Sequence, residues 1–225
     1  MLRGAARAIP IALLLMLATA GCGSAHYTYV KNSGQRTYFK VPSSWHKINN
    51  ADVAKVVLGN PDSASAQVGK SLFWYVAYDA DPKPTIAHLT GAIPNDKPFV
   101  LAIVQPLTQS QQGQVSLDAL RNLGTPVTDS ARQQAAQQGQ IDQNFEWLKD
   151  QVLTPGHGLR GVREIYNESA ADPTDPTALM TTDRVALASD DGHLYRLIIR
   201  CTAGCYRKHK SELDDIASSF TVRKL

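Results

Sequence analysis

The chain contains little of several features that mark whole classes of protein. Aromatic residues are only 7% and charged residues 19% of its 225 residues, whereas hydrophobic residues reach 43%. No apolar run approaches the ~20 residues that a membrane-spanning helix needs. These fractions exclude a disordered tail, a collagen-like polymer and a polytopic membrane protein. They predict a globular protein with one core, or two small ones.

The chain also lacks a large positive charge once the first 21 residues are counted separately from the rest. Of its 23 basic residues, Arg3 and Arg7 lie in the first 21 residues, which contain no acid, so that the remainder carries 21 basic and 20 acidic residues. A net charge of about +1 over that remainder gives no electrostatic reason for binding nucleic acid. We therefore expect no nucleic-acid partner.

Catalytic signatures are the third absence. The sequence has no H-E-x-x-H motif, no G-x-S-x-G elbow and no Walker loop. None of the six histidines lies in a metal or base motif: His26, His46, His88, His157, His193 and His209. Asp190 and Asp191 are predicted at a hairpin tip, and Asp79 and Asp81 in a turn rather than a Ca²⁺ site. We expect no catalytic residue, metal or cofactor.

What the first 22 residues do contain is the layout of a signal peptide. Arg3 and Arg7 form a basic start, Ile9–Leu17 is apolar apart from Pro10, and small residues lead up to Cys22. The apolar run is too short to span a bilayer of ~30 Å as a stable helix. We therefore predict a leader over residues 1–21.

The end of the leader, Thr19-Ala20-Gly21-Cys22, resembles the bacterial lipobox, in the threonine-containing form found in lipoproteins of high-GC Gram-positive bacteria. The resemblance implies that the Cys22 sulfur carries a diacylglycerol. Two acyl chains anchor a protein stably in a membrane, whereas a single chain binds reversibly. An ordinary cleaved signal with a chance cysteine is the alternative. We predict a lipoprotein on the outer face of the cytoplasmic membrane, with 22–35 as a lipidated tether and 36–225 as one domain.

The other two cysteines, Cys201 and Cys205, are close together. Because the exported compartment is oxidising, we predict a disulfide between them, which would fix the turn before the last helix. Closing a loop of about five residues stabilises by only ~2 kcal/mol. The alternatives are a metal site with His209, which lacks the usual spacing and a fourth ligand, and a pair of free or redox thiols.

Hydrophobic patterning predicts one α+β domain. Extended segments are predicted near 36–41 and, after a turn at 42–44, near 45–48, then near 72–78, 99–105, 145–153, 162–166, 181–188 and 193–201. Helices are predicted near 50–57, 116–123, 128–138 and 211–220. Residues 60–70 are expected to form a loop. The stretches Gly156-His-Gly158 and Asp190-Asp-Gly192 predict hairpin turns, because glycine accepts positive φ.

Two stretches carry a family resemblance: Tyr38-Phe-Lys-Val-Pro-Ser-Ser-Trp45, a strand and turn with a buried tryptophan, and Leu213-Asp-Asp-Ile-Ala-Ser-Ser-Phe-Thr-Val222, a helix that delivers a Ser-Phe pair to the core. With the order of elements, they resemble the PsbP-like group, which includes a photosystem II extrinsic subunit, a yeast nuclear-import factor and many actinobacterial lipoproteins. The resemblance implies an α/β/α sandwich around a mainly antiparallel sheet. Its members mostly bind partners or ligands, and no catalytic residue carries over.

His157 lies between two glycines, with Arg160 following, and forms the candidate ligand loop because such loops approach ligands closely. Tyr27, Tyr29 and Tyr38 near the tether are amphipathic and suit a membrane interface. We expect a non-enzymatic binding or adaptor module for an envelope protein or ligand. The alternatives are a lipid or glycolipid carrier with an apolar cleft, and a hydrolase assembled only by folding.

Overall fold

The computed structural model describes residues 26–90, 96–140, 142–170, 175 and 177–223. The predicted leader and Cys22 lie outside these ranges. None of the helices within them combines the length and the apolar composition needed to cross a bilayer.

The first half of the described chain contains both strands and helices, and strands dominate the second half. The strands are β1 Tyr27–Asn32, β2 Thr37–Pro42, β3 His46–Lys47, β4 Trp74–Asp79, β5 Phe99–Pro106, β6 Glu146–Gly156, β7 Leu159–Ser169, β8 Leu179–Ser189, β9 His193–Thr202 and β10 Thr221–Val222. The helices are α1 Asn50–Leu58, α2 Ala64–Leu72, α3 Ile86–Thr90, α4 Gln109–Gln114, α5 Leu117–Arg121, α6 Asp129–Gln137 and α7 Ala203–Ser219.

Two antiparallel sheets organise these strands. The large sheet has the order β3-β4-β5-β9-β8-β7-β6, and the small sheet has the order β1-β2-β10. Glycines with positive φ form the predicted hairpin turns, Gly156 and Gly158 between β6 and β7 and Gly192 between β8 and β9. The predicted α+β fold around a mainly antiparallel sheet is confirmed.

Strand β5 shows how the large sheet buries both of its faces. Val100 and Val104 join one core with α7 and the small sheet, whereas Leu101 and Ile103 join a second core with α1 and α3. This alternation follows from the two-residue period of a strand. A third core under α5 extends the second side of the sheet. We call the two sides the α7 face and the α5 face.

The loop predicted over residues 60–70 is wrong, because it contains most of α2. Ser63 caps this helix, its hydroxyl accepting a hydrogen bond from the Ala66 N–H at 3.1 Å. Gly69 packs against α1, where an added Cβ would lie 2.7 Å from the Leu58 side chain. Close packing against α1 at Gly69 therefore supports α2.

The start predicted for the last helix near Ser211 is also wrong, because α7 begins at Ala203. The Thr202 hydroxyl caps the helix by accepting from the Cys205 N–H at 3.3 Å. Cys205 and Tyr206 are buried in the first turns, so that the early, polar-looking part of the helix also faces the core.

The predicted boundary between tether and domain needs correction. Within the tether assigned to 22–35, Tyr27–Asn32 forms β1, which pairs with β2 over its whole length. Val30 of this strand is buried in the core on the α7 face. The domain therefore begins by Tyr27 rather than at residue 36, and only residues 23–26 separate it from Cys22.

Candidate ligand cleft

An open cleft of about 710 Å³ lies on the α7 face, between the β6–β7 hairpin and the junction of α7 with β10. Its volume is in the range of small-molecule sites. Apolar side chains that include Leu153, Leu187, Phe220 and Val222 form its walls. The alternation of β8 aims Leu187 at this face, and Phe220 ends α7 in an edge-to-face contact with a core phenylalanine.

Polar groups also line the cleft. They include His157 at the hairpin tip, Ser218 in the last turn of α7, Arg223 after β10 and Arg163 on β7. No Asp or Glu side chain occurs among the described residues that line it. The cleft therefore presents apolar walls beside hydroxyl, imidazole and guanidinium groups.

Arg163 belongs to a buried ion-pair network. Its Nε and Nη2 donate to Asp183 at 2.9 and 2.6 Å, and Nη2 also donates to Asp214 at 2.6 Å. The Tyr206 hydroxyl donates to Asp183 at 2.9 Å. Burial by itself would lower the pKa of Arg163, but the Asp183 and Asp214 carboxylates raise it above its usual range. Because Asp183 and Asp214 already neutralise the charge of Arg163, we assign this residue a structural role in the lining of the cleft.

The two residues of the predicted ligand loop are separated by the structure. His157 has a φ of +55° at the hairpin tip and lines the cleft. Arg160 lies on the α5 face, where its guanidinium donates to the Val115 carbonyl at 3.4 Å. The two-residue period of β7 puts Arg160 on the side opposite Arg163. Only His157 of the predicted pair therefore reaches the cleft.

A smaller depression of about 330 Å³ adjoins the cleft at His157. There Asp191 accepts hydrogen bonds from Arg36 and Ser189, and its Oδ1 lies 3.2 Å from His193 Nδ1. Burial would raise the pKa of Asp191, but these partners lower it to about 2. The Ser189 hydroxyl thus faces a carboxylate rather than the imidazole, unlike the hydroxyl–imidazole order of an activated nucleophile.

Asp79 lies in a buried pair that the sequence reading did not find. Its Oδ1 accepts from the Asp81 N–H at 2.9 Å, and its Oδ2 lies 2.8 Å from His88 Nδ1. The hydrogen bond from the Asp81 N–H to Asp79 belongs to the turn that the sequence predicts at these two residues. No three His, Cys, Asp or Glu side chains in the described ranges come together as a set of metal ligands.

Cys201 and Cys205 lie at disulfide distance, with their sulfurs 2.27 Å and their Cα atoms 5.9 Å apart. The pair joins the end of β9 to the first turn of α7, as the predicted staple requires. This geometry agrees with the predicted disulfide.

The sequence reading also missed a match to a nucleotide-binding pattern. The stretch Gly156-His-Gly158-Leu-Arg-Gly161 has the G-x-G-x-x-G spacing. Here, however, it joins two antiparallel strands, and no helix N-terminus follows to hold a pyrophosphate. Gly161 serves packing instead, because a Cβ there would collide with the Ala186 carbonyl on β8.

No family model matches the chain, and no curated protein matches it. Among solved structures, it is similar to the cyanobacterial PsbP protein CyanoP from Synechocystis sp. PCC 6803, at 14% identity over 92% of this chain and 99% of that chain, with a TM-score of 0.48. LpqN, involved in cell envelope biogenesis of Mycobacterium tuberculosis, is similar at 15% identity over 88% and 91%, with a TM-score of 0.46. A mutant of the protein Mog1 follows at 10% identity over 87% and 95%, with a TM-score of 0.42. These similarities agree with the PsbP-like fold and do not indicate a function.

Proposed function

We propose that the protein is an exported, lipid-anchored and non-enzymatic binding module, whose binding site is the cleft between the β6–β7 hairpin and α7. The lipobox resemblance at Cys22 supports an anchor on the outer face of the cytoplasmic membrane. The observation that carries the binding role is the cleft itself, since its volume of about 710 Å³ suits a small amphiphile.

The lining of the cleft favours a lipid or glycolipid over a fully polar ligand. An acyl chain would lie against Leu153, Leu187 and Phe220, where it loses contact with water. A polar or anionic head group would meet His157 and Arg223 at the rim, where the Asp191 carboxylate of the adjoining depression is already paired with Arg36. The cleft therefore favours the carrier alternative of the sequence analysis.

Two tryptophan substitutions on α7 test this role. Ser218 is exposed and lines the cleft, whereas Ser211 is exposed on the same helix outside it. The two sheets and the three cores described above lie within residues 26–223, and we expect the chain without its leader to keep this fold. We would titrate this leaderless chain, carrying Cys22→Ser, with dansylated undecanoic acid and follow the dansyl fluorescence.

Ser218→Trp fills the cleft with an indole ring and is expected to weaken binding at least tenfold. Ser211→Trp is expected to bind like the parent chain. A parent chain that does not bind the probe, or two variants that bind it equally, would contradict the proposal.

A further inference from the structure

The small sheet turns one face toward the core and the other toward solvent. Alternation buries Val30 and Phe39 on the inner side. The outer side, which we call the tyrosine–lysine face, consists of Tyr27, Tyr29, Lys31, Tyr38, Lys40 and Arg223. The register pairs Tyr29 with Lys40 and Lys31 with Tyr38, so that rings and cations alternate across the two strands.

Two cations of this face are held over aromatic rings. The Lys40 Nζ lies 4.2 Å from the centroid of the Tyr27 ring, and the Arg223 guanidinium lies 4.5 Å from that of Tyr38. The Tyr29 side chain is 74% exposed. These contacts fix the positive charges at the surface instead of leaving them on free chains.

The face carries no acidic side chain, although Asp190 and Asp191 line an adjoining depression with one of its cations, Arg223. The strands β1, β2 and β10 contain no Asp or Glu. In the part of the chain that the structure describes, Lys31, Lys40 and Arg223 form no ion pair. All three instead line a shallow depression of about 210 Å³, together with Ser219 and Thr221. The depression therefore offers three cations to an anionic group.

The position of the face relative to the predicted anchor suggests what it meets. Tyr27 belongs to the face and follows Cys22 by five residues, which span at most about 18 Å when fully extended. A lipid on Cys22 would hold this face close to the bilayer. Tyrosine suits the boundary between head groups and acyl chains, and cations are attracted to anionic lipids.

We propose that the tyrosine–lysine face docks on an anionic phospholipid surface, with lipid phosphates at Lys31, Lys40 and Arg223. This inference rests on the proposed anchor for its orientation, but the charge pattern stands without it. Thr221 and Arg223 line both this depression and the ligand cleft. Docking would therefore place one end of the cleft beside the membrane, from which an amphiphile can enter.

The test measures docking without the anchor. The leaderless chain with Cys22→Ser is sedimented with vesicles of phosphatidylcholine containing 30% phosphatidylglycerol, or with vesicles of phosphatidylcholine alone. We compare Lys31→Gln/Lys40→Gln with the control Lys70→Gln/Lys83→Gln, which removes the same charge from exposed positions outside the small sheet. Equal circular dichroism spectra would establish that all the chains are folded.

We expect binding only to the anionic vesicles. At roughly 1 kcal/mol per cation, the face variant should partition on the order of 30-fold more weakly, and the control should match the parent chain. Equal losses in the two variants, or binding that ignores phosphatidylglycerol, would overturn the proposal. Ser218→Trp blocks the cleft but lies outside the tyrosine–lysine face, and it should therefore bind the vesicles like the parent chain. If the parent chain bound anionic vesicles but not the dansyl probe, the proposed function would be refuted and this inference would stand.

Discussion

Replacing Arg163 by leucine is expected to destabilise the fold by about 3–5 kcal/mol, because a buried charge loses its partner. Asp183 is fully buried and is held by Arg163 and by the Tyr206 hydroxyl. After the substitution, only the neutral hydroxyl would face the Asp183 carboxylate. The lost contact with the second acid, Asp214, matters less, because Asp214 is partly exposed and also pairs with Lys210 at 2.5 Å.

Two comparisons isolate the buried charge as the cause. Lys210 is 60% exposed, so Lys210→Ala should cost no more than about 1 kcal/mol although it touches the same network. The double variant Arg163→Leu/Asp183→Leu removes both buried charges and should recover at least half of the loss. A simple loss of side-chain volume at residue 163 predicts no such recovery.

Urea unfolding, followed by tryptophan fluorescence, measures these differences. With a slope of about 2 kcal/mol per M, Arg163→Leu should lower the unfolding midpoint by about 2 M. A shift below about 0.5 M would refute the structural role assigned to Arg163. If the same variant kept its stability but lost binding of the dansyl probe, Arg163 would be a ligand-binding cation instead.

Three further predictions concern the staple, the sheet and the depression beside the cleft. Thiol titration of the unfolded protein should find no free thiol at Cys201 or Cys205, and replacing both by serine should cost about 2 kcal/mol in urea unfolding; two reactive thiols without reductant would contradict this. Gly161→Ala should destabilise the protein by at least about 2 kcal/mol in the same assay, because its Cβ collides with the Ala186 carbonyl, and a neutral effect would contradict that contact. The lowered pKa of Asp191, about 2, means that its contribution to stability is complete above about pH 4 and is lost as the pH falls toward 2. Asp191→Asn should therefore reduce the fall in the free energy of unfolding between pH 4 and pH 2 by less than about 1 kcal/mol, because the side chain is half exposed. An effect confined to neutral pH would contradict this assignment.

The strand pattern was predictable because local signals and tertiary structure agree there. Strong alternation and turn glycines predicted both long hairpins within a few residues. The helix α2 was missed because its contact with α1 depends on Gly69, which lowers helix propensity, whereas its larger apolar side chains Val68 and Leu72 are exposed. The strand β1 was missed because Val30 is its one buried side chain, and the predicted anchor suggested a flexible tether.

The cleft was less predictable than the fold, because its parts come from distant segments. His157 was selected from its flanking glycines, and the structure places it at the rim. Arg160 was chosen for proximity in sequence, although strand alternation sends it to the other face. The network of Arg163, Asp183 and Asp214 joins β7, β8 and α7, and no spacing in the sequence indicates that these charges meet.

Photo-crosslinking in cells tests the central claim, that the cleft holds an amphiphile, most directly. A benzophenone amino acid at position 218 projects into the cleft, and the same residue at position 211 serves as the control on the same helix. Mass spectrometry after irradiation should find a lipid or glycolipid adduct at position 218 and none at position 211. Protein adducts alone at position 218, or equal lipid labelling at both positions, would contradict the account.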